Sequence, residues 1–163
     1  MKFTSADMLK LALCLFVCFL PGIIGGLFTA KSVGTWYPTL VKPAFTPPGW
    51  VFGPVWTLLY TLMGISLFLV WRAAAGGADA RLAVGVFLAQ LVLNGLWSVV
   101  FFGNQSLIGG IYVIAPLWLL VLASIFLFWR LSPWAGGLLI PYLAWGSLAT
   151  ALNYSIWRLN PPS

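Results

Sequence analysis

The sequence predicts an all-α membrane protein, a bundle of five transmembrane helices, and two observations lead to this fold class. Of the 163 residues, 62% are hydrophobic and only 6% are charged, whereas soluble domains carry about 25% charged residues. The apolar runs are also continuous over roughly 20 residues, as a helix across a bilayer requires. Strands of a membrane barrel would instead alternate apolar and polar residues. Helices are therefore the spanning structure that this pattern indicates.

Charged residues and turn formers divide the chain into its spans. The stretch from Leu82 to Trp129 has no charged residue and is about twice as long as one crossing requires. The turn formers Gly103 to Ser106 lie near its middle, so we count it as two spans. We predict one domain, residues 1–163, with a long lid loop over residues 29–48. The five helices are predicted over residues 8–28, 49–71, 82–102, 107–129 and 134–157.

The first span and the basic residues bear on the orientation in the membrane. Lys2 and Lys10 before an apolar run are also typical of a signal peptide, but Asp7 interrupts the basic region and no A-x-A-like site follows. We therefore expect a retained helix and an integral, multi-pass protein. Basic residues flank the spans, with an excess on the N-terminal side that favours a cytoplasmic N-terminus. The N-terminal side carries Lys2, Lys10, Arg72, Arg81 and Arg130, and the other side Lys31, Lys42 and Arg158.

The composition excludes several classes of function. The net charge of +6 is explained by flanking anchors and calls for no nucleic acid. The chain has no His and no Glu, and Asp7 and Asp79 lie at predicted membrane borders, so a catalytic triad, a carboxylate pair and a His-rich metal site are unavailable. We predict no metal and no required cofactor. Cys14 and Cys18 are too few for a zinc or iron–sulfur site, and we expect them to pack as small apolar side chains.

Aromatic residues are concentrated in a way that a membrane-interface belt explains only in part. About half of the ten Trp residues fall at span ends, where indoles favour the headgroup level. Trp56, Trp97, Trp118 and Trp145 lie inside spans instead. An indole N–H in hydrocarbon needs a partner, so we expect these four to face the bundle interior or a ligand.

Helical geometry of about 100° per residue places these residues on faces shared with amides and phenols. The stripes are Phe52, Trp56, Tyr60 and Met63 on the second helix, Gln90, Asn94, Trp97 and Phe101 on the third, and Tyr142, Trp145, Ala149 and Asn153 on the fifth. The helical rise places members of all three stripes in the half of the membrane nearest the long loop, namely Asn153, Trp97, Trp56, Asn94, Tyr60, Gln90 and Trp145. For any single residue, a role as interhelical glue is an equal alternative, but their convergence favours a concave site for a flat hydrophobic ligand.

Four motifs make the chain recognisable as a member of a family. The loop reads W-Y-P-x-L-x-K-P-x-x-x-P-P from Trp36 to Pro48, and G-P-V-W-x-x-L-Y-x-x-M-G follows from Gly53 to Gly64. Further motifs run from Gln90 to Phe102 and from Pro141 to Tyr154. Together they resemble the tryptophan-rich sensory protein and translocator protein (peripheral benzodiazepine receptor-like) family, over nearly the whole chain.

The resemblance implies a function. Members of this family have five transmembrane helices, tend to form homodimers and bind tetrapyrroles such as protoporphyrin IX, and some bind sterols or benzodiazepine-type drugs. We therefore expect a membrane porphyrin-binding protein, acting in transport, sensing or regulation. An alternative is light- and oxygen-dependent porphyrin breakdown, because Trp56 and Trp145 match the tryptophans that the family implicates in it. A third reading is a scaffold whose ligand changes its partner contacts.

The expected ligand site combines the stripes with the loop. Trp36, Asn94 and Ala149 match ligand-lining positions of the family. A haem iron would lack its commonest axial ligand without His, so a metal-free porphyrin is expected, with Lys31 or Lys42 either meeting a propionate or serving as a solvated anchor. Leu152, Tyr154 and Arg158 satisfy a proposed sterol pattern of low specificity. The predicted ligand-contacting residues are Trp36, Tyr37, Trp56, Tyr60, Gln90, Asn94, Trp97, Tyr142, Trp145, Ala149 and Asn153.

Overall fold

The computed structural model describes residues 4–161, and this part of the chain is helical, without any strand. Five segments are long and apolar enough to cross a membrane, which confirms the predicted fold class. The helices are α1 (Ser5–Val33), α2 (Gly49–Ala75), α3 (Arg81–Ser98), α4 (Leu107–Leu131), α5 (Pro133–Gly137) and α6 (Ile140–Leu159). Helix α3 continues through a π-helical turn, Val99–Gly103, and α5 and α6 together form the fifth span.

Helix α1 is longer than the sequence analysis predicted. It begins with a capping box, in which the Asp7 N–H donates to the Thr4 hydroxyl and the Thr4 N–H donates to the Asp7 carboxylate. It ends at Val33, so the predicted start of the loop at residue 29 is wrong. The Thr29 hydroxyl donates to the Gly25 carbonyl within the helix at 2.9 Å, and Lys31 in the last turn complements the helix dipole.

The loop therefore covers residues 34–48, and it contains a short 3₁₀ turn, Tyr37–Thr39. Below it, the π-helical turn at the end of α3 closes with the Asn104 N–H donating to the Val99 carbonyl at 2.9 Å. The Ser32 hydroxyl donates to the Phe102 carbonyl at 2.6 Å. This bond fastens the end of α1 to the irregular end of α3.

The fifth span is broken, contrary to the predicted single helix over residues 134–157. Pro141 has no N–H to donate to the Gly137 carbonyl, and Gly136 and Gly137 have low helix propensity. The chain turns between α5 and α6 as a result. Helix α5 is held against α2 by the Ser66 hydroxyl, which donates to the Ala135 carbonyl at 2.7 Å.

Close glycine contacts set the packing around α1. A Cβ on Gly64 would lie 2.9 Å from the Leu15 Cα, and one on Gly25 would lie 2.7 Å from the Ser98 Cβ. Small residues of this kind let membrane helices approach closely, and α1 accordingly packs along both α2 and α3.

The other helices complete the bundle. Helix α3 packs on α4, and α4 packs on α6. By contrast, the backbones of α2 and α6 rarely come close. Aromatic side chains join these two helices, with the Phe52 and Trp145 ring centroids 5.6 Å apart. We call this contact between α2 and α6 the aromatic seam.

Candidate ligand-binding site

A cavity lies between α2, α3, α4 and α6, roughly 10 to 25 Å below the loop-side helix ends at the usual helical rise. Among the residues that the structure describes, no charged side chain lines it. Trp56 comes from α2, Asn94 and Trp97 from α3, and the remaining lining residues from α4 and α6. The complete lining is Trp56, Asn94, Trp97, Ile114, Leu117, Trp118, Val121, Tyr142, Leu143, Gly146 and Ala149.

The cavity is small in this structure. Its free volume is about 20 Å³, room for little more than one water molecule. Sites for drug-sized ligands measure about 300–1,000 Å³. A large flat ligand therefore requires the aromatic walls to move apart.

A chain of hydrogen bonds forms the polar end of the site. The Tyr60 hydroxyl donates to Asn94 Oδ1 at 2.8 Å, and Asn94 Nδ2 donates to the Tyr142 hydroxyl at 2.9 Å. The Tyr142 hydroxyl in turn donates to Gln90 Oε1 at 3.0 Å. All four residues are buried. We call them the amide–phenol chain, and it ties α2, α3 and α6 together.

The amide–phenol chain ends in an unsatisfied group. Gln90 is 1% exposed, and its Nε2 has no hydrogen-bond partner. An unpaired buried donor costs about 1–3 kcal/mol. Most buried polar groups are paired, so this amide is unusual.

Two indole N–H groups inside the spans donate to side chains of other helices, as the sequence predicted. Trp97 Nε1 donates to Asn153 Oδ1 at 3.0 Å, and Asn153 Nδ2 donates to the Leu107 carbonyl at 2.9 Å. Trp118 Nε1 donates to the Ser147 hydroxyl at 2.8 Å. The amide of Asn153 thus links α3, α4 and α6 at the loop side of the cavity.

The loop covers an aromatic cluster that continues from the cavity wall. Trp97 stacks on Phe101 with centroids 5.1 Å apart, and Trp36 meets Phe101 edge-on at 5.7 Å. Tyr37 contacts Phe102 at 5.7 Å, and burial raises the pKa of the Tyr37 phenol. The contacts therefore run from loop to cavity through Phe101.

The same loop is also fastened to the end of α6. The Val41 N–H donates to Asn160 Oδ1 at 3.0 Å, and Asn160 Nδ2 donates to the Val41 carbonyl at 2.9 Å. We call this pair the loop clamp. Beside it, the Lys42 ammonium donates to the Leu40 carbonyl at 3.1 Å and lies 4.7 Å from the centre of the Tyr37 ring. Lys42 is therefore held at the loop, close to the aromatic cluster.

The structure places the predicted site residues in three groups. Trp56, Asn94, Trp97, Tyr142 and Ala149 line the cavity. Tyr60, Gln90 and Asn153 lie behind that lining and act through hydrogen bonds. The third group does not line the cavity: Trp36 and Tyr37 lie in the loop cluster and Trp145 in the aromatic seam.

The residues of the sterol pattern do not share one surface. Leu152 is 6% exposed and faces the bundle, whereas Tyr154 is 50% exposed. Tyr154 contacts Trp157 at a centroid distance of 5.8 Å, and Arg158 is exposed in the last turn of α6. Tyr154 and Arg158 therefore have the placement of interfacial anchors.

The contribution of α4 to the cavity was not predicted from the sequence. Ile114, Leu117 and Val121 line the cavity together with Trp118. Helix α4 is apolar on all sides and carries no stripe of amides and phenols, so its inward face has no distinctive pattern. The sequence feature that pointed to α4 was Trp118, because its indole N–H lies inside a span and needs a partner.

Fold and cavity together define a multi-pass membrane protein built around an aromatic, uncharged site. The chain belongs to the TspO/MBR family, whose model matches residues 14–158. It is 42% identical to the tryptophan-rich protein TspO of Chlorobaculum tepidum, over 96% of this chain and 99% of that protein. It is 44% identical to the tryptophan-rich protein TspO of Archaeoglobus fulgidus, over 94% and 99% of the two chains. Its identity to the translocator protein of Homo sapiens is 37%, over 84% of this chain and 82% of that one.

Proposed function

We propose that this protein binds tetrapyrroles of the protoporphyrin IX type in the cavity between α2, α3, α4 and α6. The observation that supports this best is the lining, in which three Trp and one Tyr side chain surround one amide and no charge. Indole and phenol rings offer large flat faces to an aromatic guest. A macrocycle without a metal needs no axial ligand, and the chain has no His to supply one.

The binding event includes an opening step. Because the free volume is about 20 Å³, the guest displaces aromatic side chains rather than entering a ready-made space. The aromatic seam is the natural place to yield, since α2 and α6 meet there through side chains rather than close backbone contact. The loop, with Trp36 and Tyr37 packed on the end of α3, serves as a lid over the same region.

We infer the biological role from the names of relatives, which include a tryptophan-rich sensory protein and a translocator protein. Transport, sensing and regulation all require a reversible complex with the ligand. They also require little chemistry from the protein, in accord with the lack of acid, base and metal groups in the cavity lining.

Filling the cavity tests this proposal. Gly146 lines the cavity, and a Cβ there would meet only the Trp118 Cδ1, at 3.9 Å. Gly146→Ala should therefore fold while occupying space that the macrocycle needs. We expect its Kd for protoporphyrin IX, measured by tryptophan quenching in nanodiscs, to rise about tenfold or more, equivalent to about 1.4 kcal/mol.

The matched control is Gly85→Ala. Gly85 is exposed on α3, and a Cβ there would meet nothing within 4 Å. This variant should bind protoporphyrin IX like the unmodified protein. Equal affinity of the two variants would place the porphyrin outside the cavity, and no saturable quenching of the unmodified protein would refute porphyrin binding itself.

A further inference from the structure

A surface groove lies along the last two turns of α4. Because α4 is the fourth of the five spans, these turns lie on the same side of the membrane as the N-terminus. Ile125, Phe126, Trp129 and Arg130 line the groove, and its free volume is about 420 Å³. Ligand sites measure about 300–1,000 Å³, so the groove has room for part of a ligand without any movement of the helices. We call it the α4 groove.

The short helix α5 fixes one wall of the α4 groove. A Cβ on Gly136 would lie 2.9 Å from both the Ile125 carbonyl oxygen and the Trp129 Cα. One on Gly137 would lie 3.8 Å from the Trp129 Cζ3. The two glycines that interrupt the fifth span therefore let α5 pack against this part of α4 and support the Trp129 indole. The wall is thus set by packing between two helices.

The α4 groove is charged at one end and apolar at the other. Arg130 lies in the last turn of α4 and is exposed. Ile125 and Phe126 lie about 6 to 7.5 Å deeper in the membrane, at the usual helical rise. A ligand that fills the whole groove therefore combines an anionic group at the membrane border with an apolar segment below it.

Arg130 has no acidic partner in the part of the chain that the structure describes. Asp79 pairs with Arg81 at 2.9 Å, and the Asp7 carboxylate accepts the N–H and hydroxyl of Thr4. These two are the only acidic side chains of the chain. The Arg130 side chain makes neither an ion pair nor a hydrogen bond within residues 4–161. Its counter-charge therefore comes from outside the protein.

We propose that the α4 groove binds a phospholipid with an anionic headgroup, of the phosphatidylglycerol type. The lipid phosphate accepts hydrogen bonds from the Arg130 guanidinium, whose planar donors suit phosphate oxygens. One acyl chain lies along Ile125 and Phe126, and the Trp129 indole lies at the headgroup level. Zwitterionic lipids also carry a phosphate, but a basic residue at the surface favours a net negative lipid. The site is separate from the porphyrin cavity and does not depend on the proposed function.

Competition between two lipids tests the proposal. Native mass spectrometry of the full chain, released from micelles that contain equal amounts of phosphatidylglycerol and phosphatidylcholine with identical acyl chains, measures which lipid is retained first. We expect phosphatidylglycerol to be retained about fivefold over phosphatidylcholine, the scale of the attraction between one basic residue and an anionic membrane. Arg130→Gln, at an exposed position, should lower this ratio about fivefold.

The matched control is Arg81→Gln, because Arg81 lies on the same side of the membrane but is paired with Asp79. This variant should keep the preference. An unchanged ratio in Arg130→Gln, or an equal loss in both variants, would overturn the proposal, because the preference would then come from diffuse charge or from another site.

Two further readouts identify the occupant. Glycerophosphoglycerol, the headgroup without acyl chains, should not displace the lipid, because it leaves the apolar part of the groove empty. Displacement at equal concentration would make the groove a site for free phosphate esters and overturn the proposal. A dimer mass that disappears in Arg130→Gln would assign the groove to a second copy of the chain, with the same consequence.

Discussion

At the residue scale, the hydrogen bonds of the Asn153 side chain depend on a glycine on the neighbouring helix α4. The Asn153 side chain accepts from Trp97 and donates to the Leu107 carbonyl. A Cβ on Gly110 would lie 2.5 Å from Asn153 Oδ1 and 2.9 Å from a Phe101 ring carbon. The lack of a side chain at Gly110 therefore allows both hydrogen bonds of the Asn153 amide.

Gly110→Ala should accordingly destabilise the bundle. We expect the free energy of unfolding to fall by about 1–3 kcal/mol, because the added methyl overlaps the amide and the Trp97 N–H loses its acceptor. Denaturant titration in micelles, followed by circular dichroism, measures this change. Gly85→Ala is the control, since its Cβ meets nothing and alanine favours the helix by up to about 1 kcal/mol. Equal stability of the two variants would contradict the role of Gly110.

Single residues also show which parts of the site the sequence could predict and which it could not. Helical spacing was enough to turn Trp56, Asn94 and Tyr142 toward one cavity. It placed Trp145 on the same face, but this ring packs on Phe52 and does not line the cavity. Whether Trp145 lines the cavity or packs on Phe52 depends on the rotation of α6 relative to α2. The spacing of residues within one helix does not predict that rotation. The unpaired Gln90 amide likewise depends on hydrogen bonds between helices.

At the element scale, the loop is attached to the bundle at two places, one near its start and one at its middle. The aromatic cluster holds Trp36 and Tyr37 on the end of α3. The loop clamp holds Val41 to Asn160 at the end of α6 by two hydrogen bonds. Because Val41 is 56% exposed, the clamp lies at the surface and can open without unpacking the core.

Asn160→Ala should release the middle of the loop. Each hydrogen bond of the clamp contributes about 0.5–1.5 kcal/mol, so we expect the Val41 amide hydrogen to exchange about tenfold faster. Hydrogen–deuterium exchange with mass spectrometry measures this. Asn104→Ala, in the turn after α3, serves as the control. Unchanged exchange around Val41 would show that the aromatic cluster alone holds the loop.

Helix boundaries separate what local sequence decides from what packing decides. The charge-free runs and the Gly103 to Ser106 turn correctly divided the chain into five spans. The break before Pro141 has a local cause that a strict reading of proline and glycine would have found. The π-helical turn has none of that kind, since Ser32 of another helix pairs with the Phe102 carbonyl.

At the scale of the whole molecule, the two sides of the bundle are packed differently. The tight side is α1 with its neighbours α2 and α3, and the other side is the contact between α2 and α6. Helix α1 is fixed to its neighbours by glycine contacts, such as Gly64 against Leu15 and Gly25 against Ser98. Helices α2 and α6 are joined by aromatic rings across the seam. Side chains change rotamer more readily than close-packed backbones separate. Motions that admit a large guest should therefore concentrate between α2 and α6.

This asymmetry predicts how the bundle responds to a porphyrin. A flat macrocycle between two aromatic walls parts them by about 3.5–4 Å, one van der Waals layer. Spin labels at Leu58 on α2 and Tyr154 on α6, which are 56% and 50% exposed, should move apart by a similar distance when protoporphyrin IX is added. Double electron–electron resonance in nanodiscs measures this distance.

The tight side supplies the comparison. Labels at Leu27 on α1 and Val92 on α3 are also exposed, and the contact of these helices should keep their separation constant. Cys14 and Cys18 are 2% and 0% exposed, so the introduced cysteines react in preference to them. If both pairs of labels moved equally, the bundle would expand as a whole. If neither pair moved while porphyrin was bound, the guest would lie outside the α2–α6 seam, because a cavity of about 20 Å³ cannot receive it without widening.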